Sequence, residues 1–207
     1  MTVVPYYAQW ESVELIDDIV RGRRTAADDP LWARSGARTR AEYEFWSWRA
    51  CGTACLRMLL AARGDAVPAT VPLAMELLAA GAYTLRAGGL DGLTYAPFAE
   101  HVSHCYGLTA EARPHLDPTE LLALAAAGTR VIASVHPSVR DAPVDPPSRG
   151  GHLVLVYAAD DDELVFHNPS GTARRTRESA RLPLATFARY YANRGVVLAA
   201  NCCDPRG

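Results

Sequence analysis

The 207-residue chain has no lysine and no excess of either charge: its 21 basic residues are all arginine, and 23 acidic residues leave a net charge of −2. Positive and negative side chains are spread along the whole sequence. A protein that binds nucleic acid or an anionic membrane needs a concentrated basic surface, which this distribution does not provide. We therefore expect neither nucleic acid nor a membrane as a partner.

Long apolar runs are also missing. The stretch at 121–128 is one of the longest, whereas a membrane-spanning helix needs about 18 to 20 apolar residues. The first ten residues lack the charged leader and apolar run of a secretory signal. Five cysteines, with Cys202 and Cys203 adjacent, suit a reducing compartment better than a disulfide framework. We therefore expect a soluble, cytoplasmic protein.

The patterns that are present predict an α+β fold in one domain of residues 1–207. Helical periodicity and capping residues predict helices at 11–22, 51–63, 72–80, 95–106 and 118–127. Aliphatic and β-branched runs predict strands at 129–136, 152–159, 163–168 and 196–201, with a short helix at 183–193. A helical lobe of about 1–128 and a sheet lobe of about 129–207 would then meet at a cleft.

Two segments have no sustained periodicity. Residues 23–44 are predicted to form a long loop or a few short turns that carry Trp32, and such loops often close over a site as lids. Residues 137–150 contain four prolines and are predicted to form an exposed connection. Differences in specificity would then depend on pocket shape and on the loop at 23–44.

Cys51 begins the most strongly predicted helix, where free backbone N–H groups and the helix dipole favour a thiolate. A cysteine in that position can have a pKa of roughly 3.5 to 7.5, which makes Cys51 a candidate nucleophile. The alternative is an inert core thiol, because cysteine is among the most buried residue types. We assign that inert role to Cys55, one turn further along the helix.

A predicted hairpin brings a histidine and an asparagine together. If its turn is centred near residue 160, antiparallel register pairs His152 with Asn168. Directly opposed Cβ atoms lie ~4.5 to 5.5 Å apart, so the Asn168 amide oxygen can accept a hydrogen bond from the His152 ring. Cys51, His152 and Asn168 would then supply the nucleophile, the base and the orienting group of thiol acyl transfer.

Three further residues belong to the candidate site. Gln9 is the only glutamine in the chain, and its amide can donate to the oxyanion of a tetrahedral intermediate, a contribution of ~2.7 to 4 kcal/mol. The alternative for Gln9 is an ordinary surface position. Trp48 and Gly151 adjoin Cys51 and His152 and are predicted to bind substrate. Of Trp46 and Trp48, we expect one in the core and one at the cleft wall.

The segment CGTACLRML at 51–59 resembles the active-site helix of the bacterial cysteine peptidases that process double-glycine leader peptides of bacteriocins. VPYYAQW at 4–10, GGHLVLVY at 150–157 and VFHNP at 165–169 resemble other blocks of the wider, stand-alone "peptidase thirty-nine-like" group within the papain-like fold. The resemblance implies a papain-like α+β fold, no cofactor, and a peptide or acyl substrate.

By the same resemblance, Cys51 is the nucleophile, His152 the base, Asn168 the orienting residue and Gln9 the oxyanion donor. Asn168 stands where the relatives usually have aspartate, and the 42 residues between Gln9 and Cys51 exceed the spacing in transporter-linked members. The double-glycine specificity is not carried over, because it belongs to the membrane-coupled members.

Three activities remain open from the sequence. Peptide-bond hydrolysis is the leading hypothesis, acyl transfer to an amine is the second, and a catalytically silent binding module is the third. His104 and Cys105 project on different helix faces, so we expect no metal site at 101–105. The arginine-rich segment 172–181 is interpreted as a solvated strand or loop rather than a site for an acidic substrate. The oligomeric state is left open.

Overall fold

The computed structural model describes residues 3–87 and 89–199. Within those ranges the helices are α1 (Ile16–Val20), α2 (Arg40–Ser47), α3 (Cys51–Arg63), α4 (Thr70–Ala79), α5 (Tyr95–Tyr106), α6 (Pro118–Ala126), α7 (Arg174–Arg177) and α8 (Leu184–Tyr190). The strands are β1 (Leu85–Arg86), β2 (Gly89–Leu90), β3 (Ala110–Arg113), β4 (Arg130–Val135), β5 (His152–Asp160), β6 (Glu163–His167), β7 (Ala180–Pro183) and β8 (Tyr191–Leu198). The predicted α+β class is confirmed.

An antiparallel sheet of six strands, in the order β3-β8-β4-β5-β6-β7, forms the centre of the described structure. Helices cover both of its faces. Leu153 and Leu155 of β5 pack into the core that contains α3, α4 and α5. Val154 and Val156, on the opposite face, pack into a second core with α6 and α8. Burial on both faces explains why β5 is a nearly continuous apolar run instead of an alternating one.

Helix α3 has the bounds that its sequence predicts. Its residues from Gly52 to Leu60 are all buried. It ends at Gly64, which has a φ of 83°, a left-handed conformation that glycine adopts without strain. None of the described helices has the length and apolar character needed to cross a bilayer.

Of the two alternatives for 23–44, the short turns carrying Trp32 are confirmed, whereas the long lid was wrong and a helix at the end of the segment was not predicted. Helix α2 begins within it, because Thr39 accepts a hydrogen bond from the backbone N–H of Glu42 at 3.1 Å and so caps the helix. The preceding residues form two short 3-10 turns, Ala26–Asp28 and Trp32–Ser35. No part of 23–44 lines the cleft described below.

Smaller differences concern strand and loop boundaries. Residues Pro137–Asp141 of the predicted exposed connection form a 3-10 helix with Val139 buried. Strand β3 joins the sheet edge although it lies in the segment assigned to the helical lobe. β8 begins at Tyr191, where a helix was predicted to continue. The end of the strand predicted at 196–201, with Cys202 and Cys203, lies outside the described residues.

Asp29 attaches the 23–44 segment to the N-terminal region. Its carboxylate is buried and accepts from the Ser12 N–H at 3.0 Å, the Ser12 hydroxyl at 2.5 Å, the Leu31 N–H at 2.8 Å and the Tyr43 hydroxyl at 2.5 Å. Burial acts to raise the pKa of Asp29, but these hydrogen bonds outweigh it and hold the pKa below its ordinary value. The segment is therefore held in place by a satisfied buried carboxylate.

Replacing Asp29 by alanine should lower the free energy of unfolding by roughly 2 to 3 kcal/mol, because several buried donors lose a charged acceptor. Since the pKa is depressed in the folded state, this contribution is present at neutral pH and is lost as the pH falls below the ordinary range of an aspartate. Urea unfolding at several pH values measures both effects. The exposed neighbour Asp28, changed to alanine, is the matched control. Equal stability of the two variants at neutral pH would contradict the prediction.

Candidate active site

A cleft of about 380 Å³ lies between the start of α3 and the start of β5. Cys51, His152, Trp48 and Gly151 all line it, so the structure brings together four of the six predicted site residues on one surface. Trp48 is 43% exposed, whereas Trp46 is 3% exposed and lies in the core. The predicted division between a core tryptophan and a wall tryptophan is confirmed.

Cys51 is the first residue of α3, and its neighbour Gly52 lets the helix approach β5. A Cβ on Gly52 would lie 3.0 Å from Leu93 Cδ2 and 3.1 Å from Leu153 Cδ1, closer than real Cβ contacts normally are. The backbone N–H groups of Leu153, Gly52 and Cys51 itself face the thiol sulfur. A donor from the sheet thereby joins those from the helix N-terminus around one sulfur atom.

The prediction that Cys51 has a lowered pKa was wrong. Burial raises the pKa of the Cys51 thiol above its ordinary value, and the backbone N–H groups and the charge of Arg140 offset only part of that rise. Helix position alone could not have revealed this, because desolvation depends on the sheet packed against the helix start. Cys55 is fully buried, and its pKa is raised further still, in line with an inert core thiol.

His152 and Asn168 are in direct contact. His152 Nε2 lies 2.9 Å from Asn168 Oδ1, and both residues are buried. The backbone N–H of Ser170, which can only donate, lies 3.1 Å from the same amide atom, so that atom is the oxygen. His152 Nε2 must then carry the proton it donates. The other ring nitrogen, Nδ1, is left with its lone pair available for a proton.

The predicted hairpin register differs from the structure by two residues. The sequence analysis places Leu155 opposite Val165, whereas Leu155 pairs with His167. Because strand side chains alternate with a period of two, this shift leaves the side chains at the site end of the hairpin on their predicted faces, whereas beyond the bulge between Val156 and Ala158 the shift is three. His152 and Asn168 therefore meet even though they are not directly opposed.

Ser170 and Arg140 extend this buried polar group, and the sequence analysis missed both. Ser170 Oγ lies 3.1 Å from His152 Nε2 and 3.3 Å from Asn168 Oδ1, and it accepts a hydrogen bond from Arg140 Nη2 at 2.9 Å. An asparagine in a turn commonly accepts from the N–H two residues later, so the Asn-Pro-Ser-Gly string did signal Ser170. Nothing in the sequence signals Arg140, which tertiary packing brings to the site.

The His152 ring is neutral at physiological pH. Burial lowers the pKa of His152 to about 3, and the nearby charge of Arg140 contributes to the decrease. Arg140 itself has a lowered pKa because of burial, and its Nε is buried without an acceptor. In the described ranges no carboxylate lies within ion-pair distance of Arg140. A buried positive charge, attracted by Asp141 only from beyond ion-pair distance, thus stands near the histidine.

Gln9 is 3% exposed, so the interpretation as a surface residue was wrong. Its Nε2 donates to the Ser47 carbonyl at 2.9 Å, and its backbone N–H donates to the Pro169 carbonyl at 3.0 Å. Its Oε1 is buried without a donor. Gln9 therefore bridges the end of α2, just before Cys51, and the turn that follows Asn168, but it does not line the cleft.

The weaker sequence signals have structural explanations. His101 Nε2 contacts Glu76 Oε1 at 2.7 Å, and Cys105 Sγ lies 3.6 Å from His101 Nδ1 on the surface of α5. His167 is buried between the Val4 carbonyl and the Ser179 N–H, so it serves the packing of the N-terminal segment. The arginine-rich segment forms α7 and the start of β7 and takes no part in the cleft.

Known structures share this fold. The peptidase domain of ComA from Streptococcus, a bifunctional ABC transporter of a quorum-sensing pathway, matches with a TM-score of 0.51 and 16% identity, over 74% of this chain and 93% of that one. A C39-like peptidase from Bacillus anthracis matches with a TM-score of 0.52 and 15% identity, over 74% and 90%. Comparisons with protein-family models and with curated proteins give no match. The papain-like peptidase fold that the sequence resemblance implies is confirmed.

Changing Arg140 to glutamine should raise the pKa of His152, because it removes a positive charge that disfavours the imidazolium. Nuclear magnetic resonance titration of the His152 ring measures the shift. Arg140→Lys keeps the charge and should leave the pKa low, and the exposed Arg175, changed to glutamine, is the control for charge removal elsewhere. An unchanged pKa in Arg140→Gln would mean that burial alone sets it.

Proposed function

We propose that this protein is a thiol hydrolase that cleaves a peptide or amide bond through an acyl-thioenzyme. Cys51 is the nucleophile, His152 the base and Asn168 the group that orients the base. The observation that carries the proposal is the 2.9 Å contact between His152 Nε2 and Asn168 Oδ1, which leaves Nδ1 unprotonated, and His152 and Cys51 line the same cleft. The papain-like peptidase fold supports the same reaction class.

The reaction starts from a neutral pair. Because burial raises the pKa of Cys51 and lowers that of His152, the resting state holds a thiol and an imidazole and not a thiolate and an imidazolium. Proton transfer from Cys51 Sγ to His152 Nδ1 accompanies attack of the sulfur on the substrate carbonyl. The tetrahedral intermediate collapses as the imidazolium protonates the leaving amine, and the acyl group remains on sulfur. Water, deprotonated by the same imidazole, then releases the acid and the free thiol.

The oxyanion has donors of two kinds in this proposal. The free N–H groups at the start of α3 point toward the sulfur and are preorganised by the helix. The Gln9 amide is the second donor: one of its two Nε2 protons is used by Ser47, and the other reaches the intermediate when substrate binding draws the amide toward the cleft, which Gln9 does not line in this structure. The hydrogen bond to the Ser47 carbonyl thus holds the Gln9 side chain near the segment that precedes α3.

The central test is turnover of a peptide library followed by mass spectrometry, with and without small amines. Cys51→Ala and His152→Ala should each lower turnover by at least about 10²-fold, and Asn168→Ala by less, because orientation is lost while the base remains. Circular dichroism verifies that each variant is folded. Products that contain the added amine would identify an acyltransferase, and wild-type rates in His152→Ala would eliminate His152 as the base. No turnover at all by the wild-type protein would favour the silent module.

Gln9→Ala should lower kcat by about 10²- to 10³-fold, because an oxyanion donor acts on the transition state. The rate at which iodoacetamide alkylates Cys51 should stay unchanged, since the thiol is not the target of the donor. Gln9→Glu keeps the side-chain length but removes the donor, and it should lose activity to a similar extent. Restoration of activity in Gln9→Glu would show that Gln9 serves packing only.

A further inference from the structure

The cleft has more positive charge than the proposed chemistry uses. Two arginines line it, Arg49 beside the Cys51 helix and Arg194 on the sheet side. The carboxylate that lines it, Asp91, is bound to Arg86 at 2.7 Å and is thereby neutralised. His152 is neutral. The walls around the candidate nucleophile therefore present a net positive charge to an incoming substrate.

Arg194 is held at the cleft by an irregularity of the sheet. The register between β4 and β8 shifts so that Ala133 pairs with Gly195 but Val135 pairs with Tyr191, which leaves extra residues on β8 just before Gly195. Such bulges redirect side chains and are common beside active sites. Asn193 within the bulge has a φ of 52°, a left-handed conformation that asparagine tolerates better than most residues.

Two glycines fit the backbone around this bulge. A Cβ on Gly195 would lie 2.3 Å from the Ile132 carbonyl oxygen, so a larger residue cannot occupy that position. A Cβ on Gly150 would lie 3.2 Å from Arg194 Nη2, which locates the guanidinium directly against Gly150, two residues before His152. The local backbone thus positions a positive charge at the cleft wall, against Gly150.

Arg49 is held from the opposite lobe. Its Nη1 donates to the Phe45 carbonyl at 2.7 Å, and its guanidinium carbon lies 4.1 Å from the centre of the Phe45 ring. In the described part of the chain, neither Arg49 nor Arg194 is paired with a carboxylate, and the Arg194 side chain has no hydrogen-bond acceptor. A guanidinium presents a planar set of donors that matches a carboxylate, so both retain capacity for one.

We propose that the cleft selects a substrate that carries a carboxylate beside the reacting carbonyl, and that Arg194 is the specificity-determining side chain. This inference rests on the proposed thiol chemistry at Cys51. Peptides offer such a group in two forms, an acidic side chain or a free C-terminal carboxylate. Arg194 binds the carboxylate from the His152 side, and Arg49 adds attraction from the Cys51 side.

The first test compares two alkylating reagents of similar size. Iodoacetate carries the carboxylate, and iodoacetamide is its neutral counterpart. Peptide mapping by mass spectrometry gives the alkylation rate of each reagent at Cys51 and at the exposed Cys105. The ratio of iodoacetate to iodoacetamide rates should be several-fold higher at Cys51 than at Cys105. Added salt should reduce the difference, because screening weakens attraction to partly exposed charges.

Variants separate Arg194 from the general charge of the protein. Arg194→Gln should lower the iodoacetate rate at Cys51 several-fold and leave the iodoacetamide rate unchanged. The control is Arg149→Gln. Arg149 is an exposed arginine three residues before His152 that does not line the cleft, so its replacement should change neither rate. An equal ratio at Cys51 and Cys105, or a ratio unaffected by Arg194→Gln, would overturn the proposal.

A binding measurement separates this proposal from the catalytic one, because it requires no reactive thiol. Folded Cys51→Ala protein is incubated with two pairs of hexapeptide pools. The pools of the first pair differ only in having Glu or Gln, and those of the second only in having a free or an amidated C-terminus. The peptides that the protein retains from each pool are then quantified. Preferential retention of one acidic pool, lost in Cys51→Ala/Arg194→Gln, supports carboxylate selection and identifies which form is bound. Equal retention, or none, overturns it. If the acidic peptides are retained selectively but the wild-type protein turns over no peptide, the hydrolase proposal fails and the carboxylate proposal stands.

Discussion

The arrangement of the site depends on the close contact between the first turn of α3 and the start of β5. Gly52 makes that contact possible, since a side chain there would collide with Leu93 and Leu153. The contact places Cys51 and His152 in one cleft and directs the Leu153 N–H at the sulfur. The same contact also partly buries the thiol, which raises its pKa. The position and the raised pKa of the candidate nucleophile Cys51 therefore have one common cause.

In the buried polar group behind His152 the oxygen atoms are hydrogen-bonded, but Asn168 Nδ2 and Arg140 Nε are buried without partners. Asn168 Oδ1 accepts from His152 and from the Ser170 N–H, so the amide and the ring hold each other in orientation. Arg140 brings a full positive charge to this group without a carboxylate at ion-pair distance. Such a charge is costly to bury, so its effect on the histidine pKa gives it a functional rationale. Hydrogen bonding orients the His152 ring, and burial, assisted by the charge of Arg140, lowers its pKa.

The sequence predicts what depends on local patterns. Helix α3 is recovered to the residue because Gly64 ends it, and the His152–Asn168 contact survives a register error of two because the face is preserved. Helix α2 was missed although Thr39 and Glu42 have capping spacing. The thiol pKa could not be predicted, because burial by a distant strand outweighs helix position. Arg140 and Arg194 were beyond reach for the same reason, since each arrives through tertiary packing or a bulge.

Chemistry and recognition have separate structural origins in this molecule. Cys51 and His152 lie at the ends of regular elements packed in the cores, where small displacements would cost buried contacts. The cleft walls come instead from irregular backbone: Leu90 to Leu93 after the β1–β2 hairpin, and the bulge that carries Arg194. Loops and bulges tolerate sequence change far better than packed elements do. A shared fold therefore does not determine the substrate, and the specificity of this chain must be inferred from its own cleft residues.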